Sequence, residues 1–200
     1  MAQGTRAAIS EILDYWFGPL NEAGMCREDR NPLWFKASAD TDETCRSRFS
    51  DQVEQALAGE LDSWTASDQG LIALIVLLDQ MTRNIYRGTA GAFSGDQRAL
   101  GLAQQAIETG IYQRLPAIHQ VFLYMPLEHC EDLEVQEECV TLFEELAAVT
   151  GHQQIADFTR YAIAHREVIA QFGRFPHRNA ILGRESTPAE LAYLEQHGGF

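Results

Sequence analysis

Three segments of this 200-residue chain place residues able to move protons or hold anions inside otherwise apolar sequence. The first is Leu78-Asp79-Gln80-Met81-Thr82-Arg83-Asn84-Ile85-Tyr86-Arg87. Asp79, Arg83 and Arg87 follow at four-residue steps, which predicts one shared face at the end of a helix. A charge buried without a partner costs several kcal/mol, so such groups pair internally, as Asp79 with Arg83, or line a wet cavity. On the second reading Asp79, Arg83, Asn84 and Arg87 are ligand-binding residues.

The second segment is Phe122-Leu123-Tyr124-Met125-Pro126-Leu127-Glu128-His129-Cys130-Glu131-Asp132. Pro126 lacks an N–H and predicts a kink or break in the helix that carries Val121 and Phe122. His129 follows it between carboxylates. Imidazole switches charge near neutral pH, so His129 is a candidate general acid and base, with Glu131 and Asp132 as partners in catalysis and Tyr124 as a ligand contact. The competing reading has His129 and Glu131 capping helix ends. His129 and Asp132 also stand at a spacing compatible with a metal, but neither H-E-x-x-H nor E-x-x-H occurs, so no metal and no cofactor is expected.

The third segment is Phe172-Gly173-Arg174-Phe175-Pro176-His177-Arg178-Asn179-Ala180-Ile181-Leu182-Gly183-Arg184. Guanidinium forks match carboxylate and phosphate, so Arg174, Arg178 and Arg184, with Asn179, form a candidate anion cradle in which His177 can move a proton. The alternative is a structural loop whose arginines hydrogen-bond helix C-terminal carbonyls. Motifs of other chemistries are missing, including the G-x-S-x-G elbow and both glycine-rich phosphate loops.

The elements that must position these residues read as helices throughout. Ile9, Ile12, Leu13, Trp16 and Phe17 keep a helical period that Gly18-Pro19 ends. Residues 21–32 read as a loop, followed by a Trp34-Phe35 anchor. Asp40 with Glu43 predicts a capping box opening a helix to Gly59, and Ser67 caps an apolar helix from Asp68 to about Arg87. A small-residue helix starts at Asp96, and another at about Pro116. Asp132 to Val149 and Gln153 to Phe172 are amphipathic, the latter through Ile155, Phe158, Ala162, His165 and Ile169. Thr187-Pro188-Ala189-Glu190 starts a short last helix. No stretch alternates with period two, so the expected fold is all-α, with helical hairpins packed as a TPR-like superhelix or bundle.

With 46% hydrophobic residues and no composition break, residues 1–200 read as a single domain, long enough to bury roughly 70% of its unfolded surface. The net charge of −14 argues against nucleic acid or anionic membranes as partners. The longest apolar run, Leu71 to Leu78, is too short to span a bilayer and predicts a central helix buried on all sides. No signal-peptide h-region and no C-x-x-C pair occur among Cys26, Cys45, Cys130 and Cys139, which predicts a cytoplasmic protein with reduced thiols. No Lys or Arg occurs between Leu115 and Thr159, whereas Arg160, Arg166, Arg174, Arg178 and Arg184 follow, which reads either as acidic and basic helix faces meeting in ion pairs or, the favoured reading, as solvated faces with rim salt bridges.

The motifs LLDQMTRNIYRG, FLYMPLEHCEDLEVQE and FGRFPHRNAILGRESTPAE, with Asp14-Tyr15-Trp16-Phe17 near the start, resemble those of a bacterial family known as domain of unknown function 924. The likeness runs from about Ile9 to Leu194, with Met81 standing where the family favours an aromatic residue and Cys130 where it favours Ser. It implies an all-helical fold similar to tetratricopeptide-repeat superhelices, and no catalytic residue is carried over. Two functions compete. One is a polar Arg/His/carboxylate pocket that binds, and can act on, a small anionic metabolite. The other is a non-enzymatic module whose helical groove holds a protein partner.

Overall fold

The computed structural model describes residues 3–199, and these are helical apart from turns, loops and one isolated bridge between Leu20 and Cys26. The helices are α1 (Gln3–Trp16), α2 (Asn31–Phe35), α3 (Ala39–Ala58), α4 (Asp68–Ile75), α5 (Thr82–Ile85), α6 (Asp96–Glu108), α7 (Ala117–Glu128), α8 (Leu133–Thr150), α9 (Gln153–Phe172) and α10 (Pro188–His197). The chain divides into two compact units. The first holds residues up to Arg87 together with Gly91–Pro126; the second holds Gly88–Ala90 together with Leu127 onward.

In the first unit the apolar stripe of α1 meets aromatic residues from elsewhere in the sequence. The Phe122 ring lies 6.0 Å from Trp16, 5.1 Å from Phe17 and 4.8 Å from Trp34, all edge-on, the arrangement that ring quadrupoles favour. The Trp34 indole N–H donates to the Trp16 carbonyl at 3.0 Å, so the anchor expected from sequence closes the end of α1. Ser67 caps α4 as expected, its hydroxyl accepting from the Gly70 N–H at 3.1 Å. Leu71 to Leu78 are buried on every side.

Two local expectations are corrected here. The Asp40/Glu43 capping box does not form: α3 starts at Ala39, two residues before a helix capped by Asp40 would, and Ser38 makes no side-chain cap. Glu43 pairs instead with Arg46 at 2.8 Å. The long helix from Asp68 is not regular either, because Val76–Met81 winds as a π-helix between α4 and α5. Polar side chains take up carbonyls of that segment: the Thr82 hydroxyl donates to Leu78 O at 2.8 Å, and Arg83 donates to Asp79 O. Such insertions are frequent at functional sites.

The Leu78 carbonyl also explains Gly95, whose added Cβ would lie 2.1 Å from that oxygen. Gly95→Ala is therefore expected to cost about 1–3 kcal/mol through overpacking. Gly101, mid-helix in α6, is exposed and meets nothing within 4 Å, so Gly101→Ala is expected to stabilise by about 0.5–1 kcal/mol. Thermal melts of the two variants should move in opposite directions; equal shifts would refute the contact.

The second unit is built on the α8–α9 hairpin, turned at Gly151, whose φ of 59° suits a residue without Cβ. Cys139, Leu142, Phe143 and Leu146 of α8 and Ile155, Phe158 and Ala162 of α9 are buried, and the Thr159 hydroxyl donates to Phe143 O at 3.3 Å across the hairpin. That seam is apolar, and the charged residues form a solvated face rather than ion pairs that join the helices. Arg160 pairs with Asp157 on its own helix, and Glu137, Glu138, Glu144 and Glu145 are exposed. The last helix starts as sequence predicts. Thr187 Oγ1 accepts from the Glu190 N–H at 3.2 Å, and Glu190 Oε2 accepts from the Thr187 N–H at 2.7 Å.

Candidate functional site

In the first unit the first polar segment forms a closed ion network. Asp79 is 0% exposed. Arg83 NH1 lies 3.2 Å from Asp79 Oδ1, and its fork also spans Asp96, at 2.9 Å to Oδ1 and 3.2 Å to Oδ2. Gln80 Nε2 donates to Asp79 Oδ2 at 2.5 Å and to Met125 Sδ at 3.4 Å. Burial opposes the Arg83 charge, but Asp79 and Asp96 outweigh it and hold its pKa above the usual value.

Arg87 does not share the Asp79–Arg83 face, because α5 ends at Ile85. It forks onto Asp42 of α3, with Nε at 2.6 Å from Oδ2 and NH2 at 2.8 Å from Oδ1, and Asn84 Nδ2 donates to the same Oδ1 at 2.9 Å. Arg87, and after it Asn84, hold the Asp42 carboxyl below the usual carboxylate range against the opposing pull of burial. The Tyr124 ring is buried, and its hydroxyl donates to Gln120 Oε1 at 3.0 Å.

The expected break at Pro126 does not occur: α7 runs through it to Glu128. Pro126 leaves the Phe122 carbonyl without its helical donor, yet the helix continues for two more residues. The helix end is held by Gln136 of α8, whose Nε2 donates to Glu128 O at 2.6 Å, Cys130 O at 2.8 Å and Leu127 O at 3.4 Å. Of the two acids expected beside His129, Asp132 is the α8 cap, accepting from Glu134 N at 2.9 Å and Val135 N at 3.1 Å.

Glu131 accepts from Phe175 N at 2.8 Å and from both ends of the Arg184 fork, at 2.5 Å and 2.8 Å. Burial raises its pKa, but Arg184 and the Phe175 N–H outweigh that and hold it low. Arg184 also donates to Asn179 Oδ1 at 2.9 Å, while Asn179 Nδ2 donates to Ser186 Oγ at 3.0 Å. Arg174 forks onto Glu190 at 2.6 Å and 2.8 Å and depresses that carboxyl to about 2. These groups hold the shape of the loop that follows α9.

That loop delivers His177 and Arg178 to a cluster of rings. The Arg178 guanidinium lies 4.6 Å from the Phe175 centroid, and Phe175 lies 5.7 Å from His177 and 5.6 Å from His165. His165 in turn lies 6.2 Å from His129. The structure thus brings together His129, His177 and Arg178 of the expected residues, around His165, which the expectation omitted. The signal was present, since His165 is the one imidazole on the apolar stripe of α9.

His165 is 7% exposed, with Nδ1 at 2.8 Å from Tyr161 O and 3.0 Å from Glu128 Oε1. Both contacts are acceptors, which places the neutral ring's proton on Nδ1 and its lone pair on Nε2. Burial, then His129, push its pKa down to about 3 against the Tyr161 carbonyl, with His177 and Arg178 adding to the fall. At neutral pH the ring is uncharged. Among the described residues no group of three or more His, Cys, Asp or Glu is arranged to hold a metal ion.

An all-helical protein with arginine–carboxylate networks and a histidine cluster drawn from the end of α7, from α9 and from the loop after it is the class that fold and site define. The chain belongs to the family described as bacterial protein of unknown function (DUF924), matching it over residues 12–198. It is similar to a solved structure, a protein of unknown function from Agrobacterium tumefaciens. The two share 36% identity over 96% of this chain and 99% of that one, with a TM-score of 0.80. None of the curated proteins matches the chain.

Proposed function

We propose that the second unit binds a small anionic molecule at the cluster of His129, His165, His177 and Arg178. The grouping of three imidazoles and one guanidinium around Phe175 carries this reading. Arginine forks suit phosphate and carboxylate groups, and a local concentration of donors on a chain of net charge −14 attracts small anions rather than long polyanions. Arg83, Arg87, Arg174 and Arg184 serve the fold, each satisfied by a carboxylate of the chain itself. His129 and His177, both half-buried, are placed to exchange protons with the ligand. Cys26, Cys45, Cys130 and Cys139 are thiols and no helix of the described residues is long and apolar enough to cross a membrane, which supports a cytoplasmic address.

Thermal melts against a panel of phosphorylated and carboxylated metabolites test the proposal. A ligand at a hundred times its Kd adds about 2.7 kcal/mol, a rise of roughly 5–10 °C for a chain of this size. Arg178→Gln and His177→Ala should each abolish the rise measured from their own melting temperatures, while Arg114→Gln, an exposed pair with Asp68, should retain it. A panel without a hit, or hits indifferent to Arg178, would sink the idea.

A further inference from the structure

We propose that the outer face of α1 is the contact through which two copies of this chain associate, antiparallel about a two-fold axis at Ser10. Ile9, Ile12, Leu13 and Trp16 turn one side of the helix into the core, and Arg6, Ala7, Ser10, Glu11 and Asp14 are exposed on the other. Ala7 and Ser10 form a low ridge that borders two hollows. One, of about 430 Å³, is shared with Arg6 and with Gln69 from the start of α4. The other, of about 620 Å³, is shared with Glu11, Asp14 and Arg48 of α3. Side chains as small as these let a second helix approach to roughly 8 Å between axes, with its longer side chains entering the hollows.

Charge selects the occupant. At a net charge of −14 two copies repel each other unless they meet where that charge is locally cancelled. The two hollows hold two cations, Arg6 and Arg48, with two anions, Glu11 and Asp14. The outer face of α8, by contrast, exposes Glu134, Glu137, Glu138, Glu144 and Glu145, and that helix carries no Lys or Arg. Arg48 and Glu11 already satisfy each other at 3.0 Å. Among the described residues Arg6 has no carboxylate partner, and Asp14 has only the Ser10 hydroxyl, at 3.2 Å. Arg6 and Asp14 stand about 12 Å apart along the helix, with Ser10 midway. An antiparallel copy centred on Ser10 therefore sets Arg6 against the second copy's Asp14, and the two-fold axis makes that pair twice. A parallel copy would set Arg6 against Arg6. One helix pair covers less than the ~1,200–2,000 Å² of a permanent complex, so the dimer forms reversibly with concentration.

Sedimentation equilibrium of the full chain from about 1 μM to about 1 mM should report a monomer–dimer equilibrium. Arg6→Glu should raise the dissociation constant by about tenfold or more, since two attractions become two repulsions of similar size. Asp14→Arg should weaken the dimer to a similar extent, although it makes each chain less acidic and general repulsion alone would then favour association. The double variant Arg6→Glu/Asp14→Arg restores both the pairing and the net charge, and should return the constant close to that of the wild type. A chain that stays monomeric throughout would overturn the proposal and leave the face to a different partner. A dimer indifferent to Arg6→Glu, one tightened by Asp14→Arg, or a double variant no tighter than the single ones would overturn it as well.

Discussion

Asp79→Ala is expected to lower the unfolding free energy by about 3 kcal/mol, the low end of the ~3–5 kcal/mol that breaking a buried ion pair costs. The low end applies because Arg83 keeps its fork on Asp96, at 2.9 Å and 3.2 Å, so its charge is not left wholly unpaired. The variant nevertheless strips the buried Gln80 amide of its carboxylate acceptor and leaves it only the weak Met125 Sδ acceptor. A buried N–H left without a good acceptor costs about 1–3 kcal/mol by itself. Urea unfolding should show a lower midpoint at unchanged slope. A loss under about 1 kcal/mol would mean that the network contributes little beyond the packing around it.

Stability should also fall steeply on mild acidification, with His119 as a principal cause. This side chain is 8% exposed and tilted against Phe17 at 4.6 Å between centroids, and burial lowers its pKa to about 4. In the unfolded chain it titrates near 6.5. Between those values the unfolded state holds a proton that the native state rejects. The stabilisation is therefore complete above pH 6.5 and is lost as pH falls toward 4, reaching about 2.5 kcal/mol at pH 4.5. His165, lowered to about 3, adds a loss of the same sign that extends further into acid. His119→Phe should keep the ring contact and lack this term. Its stability relative to wild type should improve by about 2.5 kcal/mol between pH 8 and pH 4.5, and parallel pH profiles would rule His119 out.

Much of the helical framework was legible from sequence because its causes lie within a few residues of each other. Ser67 capping α4, the Thr187/Glu190 box and the glycine turn between α8 and α9 all follow from which side chain can reach which backbone group nearby. Where local rules failed, a distant partner had intervened. Gln136, eight residues on from Glu128, ties down the end of α7, so that Pro126 does not end that helix. The division into two units left no mark in composition.

The candidate site was legible in its ingredients and not in their pairing. His129, His177 and Arg178 were marked by residue type and setting, whereas His165 and Glu128 looked like ordinary members of an apolar stripe and a helix end. Arg83 meets Asp96 across 13 residues, Arg87 meets Asp42 across 45, and Arg184 meets Glu131 across 53. Spacing along a chain says nothing of contacts that remote, because they depend on how helices pack and where loops turn. The sequence by itself determined the all-helical architecture and which polar residues had to be accommodated, since helix formation is governed by neighbours three and four positions apart. Only the tertiary structure decided which of those charges neutralise one another and which gather around Phe175, because partner choice is settled by packing across the fold.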